Sequence, residues 1–452
     1  MVENRQPRKL GKLTPREVVI IEYQRWLQKP GRIDQIVDRA FAVYHWEKRD
    51  RALFQELMYG VIRWRERIDK ILNDLSPKGV KTDSPAFAAA SIGLYQMLYL
   101  DRVPDHAVVD TAVEYIWHTS GPQASGWVNA ILRRAGIMKD KLREWEPNSR
   151  DVIGDLAIKY SHPRWMIVRW SNLMKREQLE GFLKHNNRRP AVILRINSGK
   201  VGPGEVIFSL SQEGITATQS EFDPNFLMLE NAGDPREIDV VKKGAASVQD
   251  ISQGLVTRLA GPKEGENVLD LCAAPGGKTG HMAELSPGCN IVATDNSDER
   301  LNLVRDLVKR CDLKNVEVKN YTDVIESREL FDIVLLDVPC TGTGVLARRP
   351  DLRWRRRKYD ITRMAAVQKE LLSRAANKVK PGGRLIYSTC SVEPEENFEQ
   401  ISQFLGNRLD FTLKSAKDRL PALLVDEHGC LSIFGPEVNG DGAFAVKMER
   451  KL

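Results

Sequence analysis

Two cysteines and one aspartate have side chains and positions that suit nucleophilic catalysis. Asp337 and Cys340 follow the apolar run Ile-Val-Leu-Leu at 333–336, and Cys390 follows a second apolar stretch near residue 386. A thiolate attacks an electrophilic carbon readily and can leave again, and a neighbouring carboxyl group can transfer or share a proton. A lone cysteine is most often a small buried hydrophobe. Two cysteines at the ends of two predicted strands favour a reactive pair instead.

A loop of small residues precedes both cysteines and predicts a cofactor site. It opens a predicted helix and consists of Cys272, Ala273, Ala274, Pro275, Gly276, Gly277 and Lys278. A phosphate-binding P-loop needs a glycine five positions before its Gly-Lys pair, and this chain has Cys272 there. A dinucleotide fingerprint is also missing, but Asp295 lies about 20 residues on, where such folds bind a ribose. A ribose site without a pyrophosphate loop indicates S-adenosyl-L-methionine.

The elements that must position these residues alternate between strand and helix from Ala245 onward. This alternation predicts an α/β Rossmann-like domain with a mostly parallel sheet and helices on both faces. We expect strands near 267–272, 290–294, 315–319, 331–337 and 383–389, two more between 431 and 451, and helices near 277–285, 298–310, 360–379 and 394–406. Ligands collect at the carboxyl ends of the strands of such sheets. Cys272, Asp295, Asp337 and Cys390 are all expected at this edge.

The 452 residues predict more than one domain. Residues 1–12 form a basic tail, and 13–146 repeat apolar residues at helical spacing, beginning with Thr14 as N-cap and Glu17 as its capping-box partner. Residues 147–246 mix helix, strand and turn signals and predict a small α+β subdomain. Residues 247–452 form the Rossmann-like domain.

Composition limits the class of partner. The net charge of +7 suggests a polyanionic partner, although a basic surface alone would also explain it. The segment 348–358 carries seven basic residues and Trp354, which suits phosphate contact and stacking on a base, although Trp354 could equally pack inside the protein. The six cysteines show neither zinc spacing nor a disulfide framework. No stretch approaches about 20 apolar residues, so we expect a cytoplasmic protein without a membrane partner.

Several motifs together resemble one family. They are Val248-Gln249-Asp250, Cys272 to Lys278, Asp337-Val338-Pro339-Cys340, Arg349-Pro350-Asp351 with Trp354, Thr389-Cys390-Ser391 with Pro394-Glu395-Glu396-Asn397, and Gly440 to Phe444. The stretch from Val248 to Asn397 resembles the RNA cytosine-C5 methyltransferases. The stretch from Asp50 to Arg63, followed by Arg65, Arg67 and Lys70, resembles the RNA-binding helical domain of the antitermination factor NusB. Over nearly its full length the chain is similar to the bacterial small-subunit ribosomal RNA methyltransferase B (Sun/Fmu) family.

The resemblance implies methyl transfer from S-adenosyl-L-methionine to carbon 5 of a cytidine in 16S ribosomal RNA through a covalent adduct. It implies that Cys390 is the nucleophile and that Cys340 assists release of the product. Asp337 would border the cofactor pocket and accommodate the charge that develops at ring nitrogen 3 of the cytosine. DNA cytosine methyltransferases use the cysteine of a Pro-Cys pair, so the rival assignment makes Cys340 the nucleophile.

The resemblance also implies a set of cofactor contacts. The loop from Cys272 to Lys278 would lie under the methionine moiety, Asp295 would bind the ribose hydroxyls, and Arg300 would lie close by. The family places a Gly-Asp pair near the adenine, where this chain has Asp323, with Asn320 or Tyr321 as alternatives if the register shifts. The expected partner is 16S ribosomal RNA before subunit assembly, bound by a monomer.

Overall fold

The computed structural model describes residues 13–76 and 81–452. The expected basic tail at 1–12 lies outside the described residues. Two compact units are present. The helical unit ends at Asn187 and also includes Arg349–Arg355, and the sheet unit comprises Arg188–Arg348 and Arg356–Leu452. The three boundaries between the four segments expected from the sequence stay predictions.

Helices make up most of the first half of the chain. In the second half they alternate with strands. No helix in the described ranges combines the length and apolar character needed to cross a bilayer. In chain order the helices are α1 Pro15–Gln28, α2 Ile33–Val43, α3 Lys48–Arg63, α4 Arg65–Leu75, α5 Pro85–Tyr99, α6 Asp105–Ile137, α7 Lys139–Arg143, α8 Val152–Lys159, α9 Arg164–Ser171, α10 Arg176–Asn186, α11 Pro203–Gln212, α12 Asp239–Lys242, α13 Ile251–Ala260, α14 Gly277–Leu285, α15 Asp298–Arg310, α16 Tyr321–Glu326, α17 Leu352–Arg355, α18 Lys358–Ala376 and α19 Phe398–Asn407.

The helical unit is the predicted bundle, and its first helix begins as expected. The backbone N–H of Thr14 donates to Glu17 Oε2 at 2.7 Å, and the backbone N–H of Glu17 donates to Thr14 Oγ1 at 3.4 Å, which completes the capping box. Helix α5 lies at the centre, and all its residues from Ala86 to Leu98 are buried. Gly93 explains part of this close packing, because a Cβ there would meet Leu132 Cδ2 at 2.7 Å.

The basic residues near the end of α3 are not on a solvated face. Arg63 and Arg67 are only 6% and 8% exposed. Arg67 Nη2 donates to the carbonyl oxygens of Leu142, Arg143 and Trp145 at 3.3, 3.2 and 2.8 Å. These carbonyls lie at and beyond the end of α7, where a helix leaves acceptors without partners of its own. Arg67 therefore caps a helix, and a contact with RNA would require it to leave that site.

The segment Arg349–Arg355 packs within the helical unit. Arg353 is fully buried, and its guanidinium donates to the carbonyl oxygens of Arg63, Ser161 and Asn186 and to Asn187 Oδ1 at 2.6–3.0 Å. Trp354 packs against the bundle core and donates from Nε1 to the Ile62 carbonyl at 2.8 Å. The expectation that Trp354 stacks on a base is therefore wrong in this structure, and its alternative, packing, is observed.

The sheet unit contains an eight-stranded and a four-stranded sheet. The strands are β1 Val192–Ile196, β2 Thr216–Gln219, β3 Phe226–Glu230, β4 Ala246–Val248, β5 Asn267–Asp270, β6 Asn290–Ala293, β7 Val316–Val318, β8 Phe331–Asp337, β9 Val379–Thr389, β10 Phe411–Lys414, β11 Leu431–Ile433 and β12 Ala443–Arg450. The large sheet has the order β10-β12-β9-β8-β5-β6-β7, with β11 paired to β12, and the small sheet has the order β2-β3-β1-β4. Neighbours from β9 to β7 are parallel, and β10, β11 and β12 add antiparallel pairs. The predicted mostly parallel Rossmann-like sheet is confirmed.

The starts of β9 and α19 differ from the expectations in ways that bear on the site. Strand β9 begins at Val379, because Lys380-Pro-Gly-Gly lies inside the strand and does not precede it. The helix expected from residue 394 is a 3-10 turn at Pro394–Glu396, and α19 begins only at Phe398. The break falls at Asn397, whose φ of −113° and ψ of −116° are not helical. Glu396 therefore lies in the turn before α19 and not in the helix.

Replacing Arg353 with methionine tests whether the buried guanidinium stabilises the helical unit. Arg353→Met keeps much of the side-chain volume but leaves three backbone carbonyls and an amide oxygen without their donor. We expect the free energy of unfolding to fall by about 3 kcal/mol or more, measured by urea denaturation followed by tryptophan fluorescence. The exposed Lys358→Met is the control and should change it little. Equal stabilities of the two variants would contradict this role of Arg353.

Candidate active site

The carboxyl ends of the parallel strands gather the residues that the sequence singled out. Asp270 ends β5, Asp295 follows β6, and Asp337 ends β8. Strands β8 and β9 pair in parallel with Asp337 opposite Ser388, so Cys390 follows β9 at the same edge. The expectation that this edge collects the candidate residues agrees with the register of the sheet.

The two cysteines are in direct contact. Cys340 Sγ and Cys390 Sγ lie 3.1 Å apart, and both side chains are half-buried. The contact with Cys390, followed by burial, raises the pKa of Cys340 well above its ordinary value. Gly344 keeps the two loops close, because its N–H donates to the Cys390 carbonyl at 2.9 Å and a Cβ there would meet the same oxygen at 2.9 Å.

A buried carboxylate, Glu396, connects the two cysteine loops. From the sequence, Glu396 was singled out only as part of the Pro394-Glu395-Glu396-Asn397 motif. Glu396 is fully buried and accepts hydrogen bonds from Thr341 N–H at 2.9 Å, from the Thr341 hydroxyl, and from the Ser391 hydroxyl at 2.5 Å. Gln368 Nε2 donates to Glu396 Oε1 at 2.9 Å, the oxygen that also accepts from the Thr341 N–H. Burial raises the pKa of Glu396, which its hydrogen-bond donors oppose.

Two side chains hold the Cys340 loop by its backbone. Arg356 donates from Nε to the Thr341 carbonyl at 2.8 Å and from Nη2 to the Cys340 carbonyl at 3.2 Å. Gln368 Nε2 also donates to the Pro339 carbonyl at 3.0 Å. The basic segment 348–358 was expected to suit phosphate contact, but Arg356 supports the Cys340 loop instead. Arg357 and Lys358 are exposed.

Arg348, which begins the basic segment, is also engaged within the protein. Its guanidinium donates to Asp441 Oδ2 at 2.8 Å and to Asp250 Oδ2 at 2.6 Å. Asp250 further accepts from the Asp441 N–H at 3.0 Å. Burial, followed by the charge of Asp250, raises the pKa of Asp441 to about 7. This cluster joins the terminal strand signature to the start of α13.

The candidate cofactor loop has a geometry that requires glycine. Gly276 has a φ of +103°, and a Cβ there would lie 2.9 Å from Leu307 Cδ2. The loop is fixed to the end of β6, because Ala274 N–H donates to Asp295 Oδ2 at 3.3 Å. Arg300 donates to the Ala274 carbonyl at 2.7 Å and lies 3.4 Å from Asp295 Oδ1. Asp295 and Arg300 thus contact the loop together, and their roles at the ribose stay predictions.

Lys278 and Asp337 connect this loop to the cysteines. Lys278 Nζ lies 2.6 Å from Asp337 Oδ2 and also donates to Gln253 Oε1. The Ser388 hydroxyl donates to Asp337 Oδ1 at 2.7 Å. Both carboxylate oxygens of Asp337 therefore accept hydrogen bonds, one from a charged donor.

Arg195 is a residue of this region that sequence reasoning missed. It extends from β1 of the small sheet, is 1% exposed, and forms a bidentate pair with Glu284 at 2.8 and 2.7 Å. It also donates to the Gly277 carbonyl at 2.9 Å and to Gln249 Oε1. A single arginine within a short apolar segment does not indicate in the sequence that its side chain pairs with Glu284.

The polar atoms around the loop fit a small polar cofactor. Two buried side-chain atoms near the loop, Gln249 Nε2 and Asp270 Oδ1, have no hydrogen-bond partner among the described residues. Gln249 Nε2 lies 3.8 Å from the place of a Cβ on Gly277. A donor and an acceptor are therefore available where a ligand could satisfy them.

The three adenine candidates lie after β7. Asn320 caps α16 through its side-chain oxygen, which accepts from the Thr322 N–H at 2.9 Å. Asp323 is exposed in the first turn of α16. Tyr321 is half-buried and packs against the same apolar cluster as Cys272. The assignment of Asp323 to adenine stays a prediction.

The comparisons with known proteins agree with this geometry. Family models match at 257–449, described as 16S rRNA methyltransferase RsmB/F, at 19–136, described as NusB family, and at 162–235, described as a Methyltr_RsmF/B-like ferredoxin-like domain. The ribosomal RNA small subunit methyltransferase B of Proteus mirabilis is 34% identical over 408 residues, which cover 89% of this chain and 91% of that protein. The protein of the same name from Escherichia coli O1:K1 is 35% identical with the same coverage.

Solved structures show the same fold. The crystal structure of PH0851 superposes with a TM-score of 0.78 at 29% identity and covers 98% of this chain and 100% of that one. A methyltransferase homologue from Pyrococcus horikoshii gives a TM-score of 0.58 at 26% identity over 67% of this chain and 100% of that one. The chain is thus a methyltransferase with a Rossmann-like sheet and a NusB-like helical domain. It belongs to the ribosomal RNA small subunit methyltransferase B family.

Asp270 should make the stability of the protein depend on pH. Burial raises its pKa to about 7, whereas an unfolded aspartate titrates near 3.9. Between these two values the folded state therefore binds a proton on Asp270 that the unfolded state has lost. The stabilisation of the folded state by this group is complete below about pH 4 and is lost as pH rises through 7. Relative to wild type, Asp270→Asn should gain about 4 kcal/mol between pH 4 and pH 8, measured by urea unfolding without cofactor. The exposed Asp306→Asn is the control; a pH-independent difference for Asp270→Asn would contradict the assignment.

Proposed function

We propose that this protein transfers a methyl group from S-adenosyl-L-methionine to carbon 5 of a specific cytidine in 16S ribosomal RNA through a covalent cysteine–cytosine adduct. The observation that carries the proposal is the pair of sulfur atoms, Cys340 and Cys390, 3.1 Å apart at the strand edge that also bears Asp337. The names of its relatives, which are ribosomal RNA small subunit methyltransferases, support the substrate class.

The first step needs a nucleophile and a group that accommodates charge. Carbon 5 of cytosine is too weak a nucleophile to accept a methyl group unaided. In the proposed step the Cys390 thiolate attacks carbon 6, the pair of the carbon 5–carbon 6 double bond moves to carbon 5, and density develops towards nitrogen 3. In its protonated form Asp337 would donate its proton to nitrogen 3, and Lys278 Nζ, 2.6 Å from Asp337 Oδ2, would stabilise the carboxylate that remains.

The second step removes a proton and releases the product. In the proposed step the half-buried Cys340 first loses its proton to water, and its thiolate then takes the proton from carbon 5 after methylation. The electron pair of that carbon–hydrogen bond forms the carbon 5–carbon 6 double bond as the bond from carbon 6 to Cys390 breaks. The pair of the broken bond returns to the Cys390 sulfur as a thiolate, and nitrogen 3 returns its proton to Asp337. A base must therefore lie beside the nucleophile, as Cys340 does.

We assign the nucleophile to Cys390 because the Thr389-Cys390 signature is the one that marks the RNA methyltransferases that this chain resembles. The contact between the two sulfurs is symmetric, so it supports a nucleophile and a neighbouring base without distinguishing them. Cys340 then takes the role of the base in the second step.

S-adenosyl-L-methionine would supply an electrophilic methyl group when bound. The loop from Cys272 to Lys278 would hold its methionine end, with the unpartnered Gln249 Nε2 as a further donor. Asp295 would accept from the ribose hydroxyls, with Arg300 beside it, and Asp323 would meet the adenine. These roles follow from the family resemblance and fit the donors and acceptors around the loop.

The RNA partner must present an unstacked cytosine. Arg357 and Lys358 are exposed directly after Arg356, which holds the Cys340 loop, so they are suited to bind phosphate near the reacting base. From the family resemblance we also propose action on 16S ribosomal RNA before subunit assembly, by a monomer in the cytoplasm.

Mutation of the two cysteines tests the proposed mechanism. Cys340→Ala should accumulate a covalent protein–RNA adduct, because methylation can proceed but release is blocked, and Cys390→Ala should form none. The measurement is a denaturing gel of full-length protein incubated with transcribed 16S ribosomal RNA and S-adenosyl-L-methionine. Cys430→Ala, a buried cysteine of the core, is the control. The reverse pattern would exchange the two roles.

A second readout separates this function from its alternatives. RNA with tritium at cytosine carbon 5 should lose the label only if that carbon is methylated. A structural RNA-binding assembly factor, or a methyltransferase for protein or small molecules, would release none. Absence of tritium release by active wild-type protein would overturn the proposal.

The exposed charges near the Cys340 loop should set part of the salt dependence of RNA binding. Replacing both Arg357 and Lys358 with glutamine should weaken binding and reduce the slope of log affinity against log salt by roughly 1–2. The matched control is the double replacement of Lys242 and Lys243, which pair with Glu237 and Asp239. Equal slopes for both double variants would refute phosphate contact.

A further inference from the structure

We infer that Glu396 is a positioning residue that keeps Cys340 next to Cys390 for the release step. The inference rests on the proposed function and adds a residue to it. Glu396 itself touches neither sulfur; it accepts hydrogen bonds from the residue that follows Cys340 and from the residue that follows Cys390.

The connection made by Glu396 is short on both sides. Thr341 gives its N–H and its hydroxyl to the carboxylate, and Ser391 gives its hydroxyl. The two hydroxyls are also 3.2 Å from each other. Each contact is adjacent in sequence to a cysteine, so a shift of the carboxylate moves both sulfur-bearing residues.

The surroundings of Glu396 fix its own position. Its backbone carbonyl accepts from the Tyr387 hydroxyl at 2.7 Å, and Gln368 Nε2 bridges one carboxylate oxygen to the Pro339 carbonyl. Hydrogen bonds to an ionised acceptor are shorter and stronger than neutral ones. In a fully buried site they cannot be replaced by water. Glu396 therefore defines the separation of the two loops more firmly than the sulfur contact does.

The two chemical steps depend on this separation to different degrees. Attack on carbon 6 needs only the sulfur of Cys390, whose residue is also held by the hydrogen bond from Gly344 N–H. Proton removal from carbon 5 needs Cys340 at a fixed distance from the cytosine ring, which is already bonded to Cys390. A misplacement of about 1 Å can reduce a rate by roughly 100-fold. Loss of Glu396 should therefore slow release more than attack.

Substitution of Glu396 tests this separation of the steps. Glu396→Gln keeps the shape but removes the charge and presents an amide N–H₂ to the Thr341 and Ser391 hydroxyls. In full-length protein with transcribed 16S ribosomal RNA and S-adenosyl-L-methionine, we expect turnover to fall roughly 10- to 100-fold. The covalent adduct should accumulate, as in Cys340→Ala. Thr341→Val removes one hydroxyl donor and keeps the Glu396 carboxylate. It should lower turnover and raise the amount of adduct, each by a smaller factor than Glu396→Gln does.

Controls distinguish this role from a general structural one. Glu399→Gln changes an exposed carboxylate on α19 and should leave turnover and adduct at wild-type levels. If Glu396→Gln and Thr341→Val lose turnover without accumulating adduct, or keep wild-type turnover, the inference is wrong. Adduct in Cys340→Ala but not in Glu396→Gln would overturn the inference alone. No adduct in Cys340→Ala would overturn the proposed function, and this inference with it.

Discussion

Parallel hydrogen bonding between β8 and β9 is the constraint on which the site depends. The register sets Asp337 opposite Ser388, so the chain leaves both strands at the same level. Cys340 then comes three residues after one strand and Cys390 one residue after the other. Because a slip of one residue would turn every side chain to the opposite face, the buried residues of both strands also fix where the two sulfurs lie.

Charge balance at this edge is a second consequence of the same register. Asp270, Asp295 and Asp337 follow neighbouring strands, and one buried lysine, Lys278, contacts Asp337. Carboxylates brought together in a buried place cannot all ionise at low cost. Asp270 lies deepest, and burial raises its pKa to about 7. Lys278 and Arg300 allow the other two carboxylates to lie beside the loop while Asp270 is stabilised in its protonated form.

The sequence was sufficient for the parallel strands β5 to β9 and for placing Asp337, Cys340 and Cys390 near strand ends, because apolar runs encode these strands locally. It did not predict β10 at Phe411–Lys414. It was insufficient for the basic residues. Arg353, Arg356 and Arg357 look alike in a charged run, yet the first is buried among carbonyls, the second holds the Cys340 loop and the third is exposed. Only tertiary partners distinguish them. The role of Glu396 was missed for the same reason, since two of its hydrogen bonds come from Thr341, 55 residues away in sequence.

Arg195 shows how the small sheet contributes to the site without lining it. Its bidentate pair with Glu284 fixes direction as well as distance, because a guanidinium and a carboxylate meet in one plane. The same guanidinium holds the Gly277 carbonyl at the start of α14. A buried ion pair adds little net stability once desolvation is counted. Its effect is therefore better understood as orienting α14, and with it the loop from Cys272 to Lys278, relative to β1.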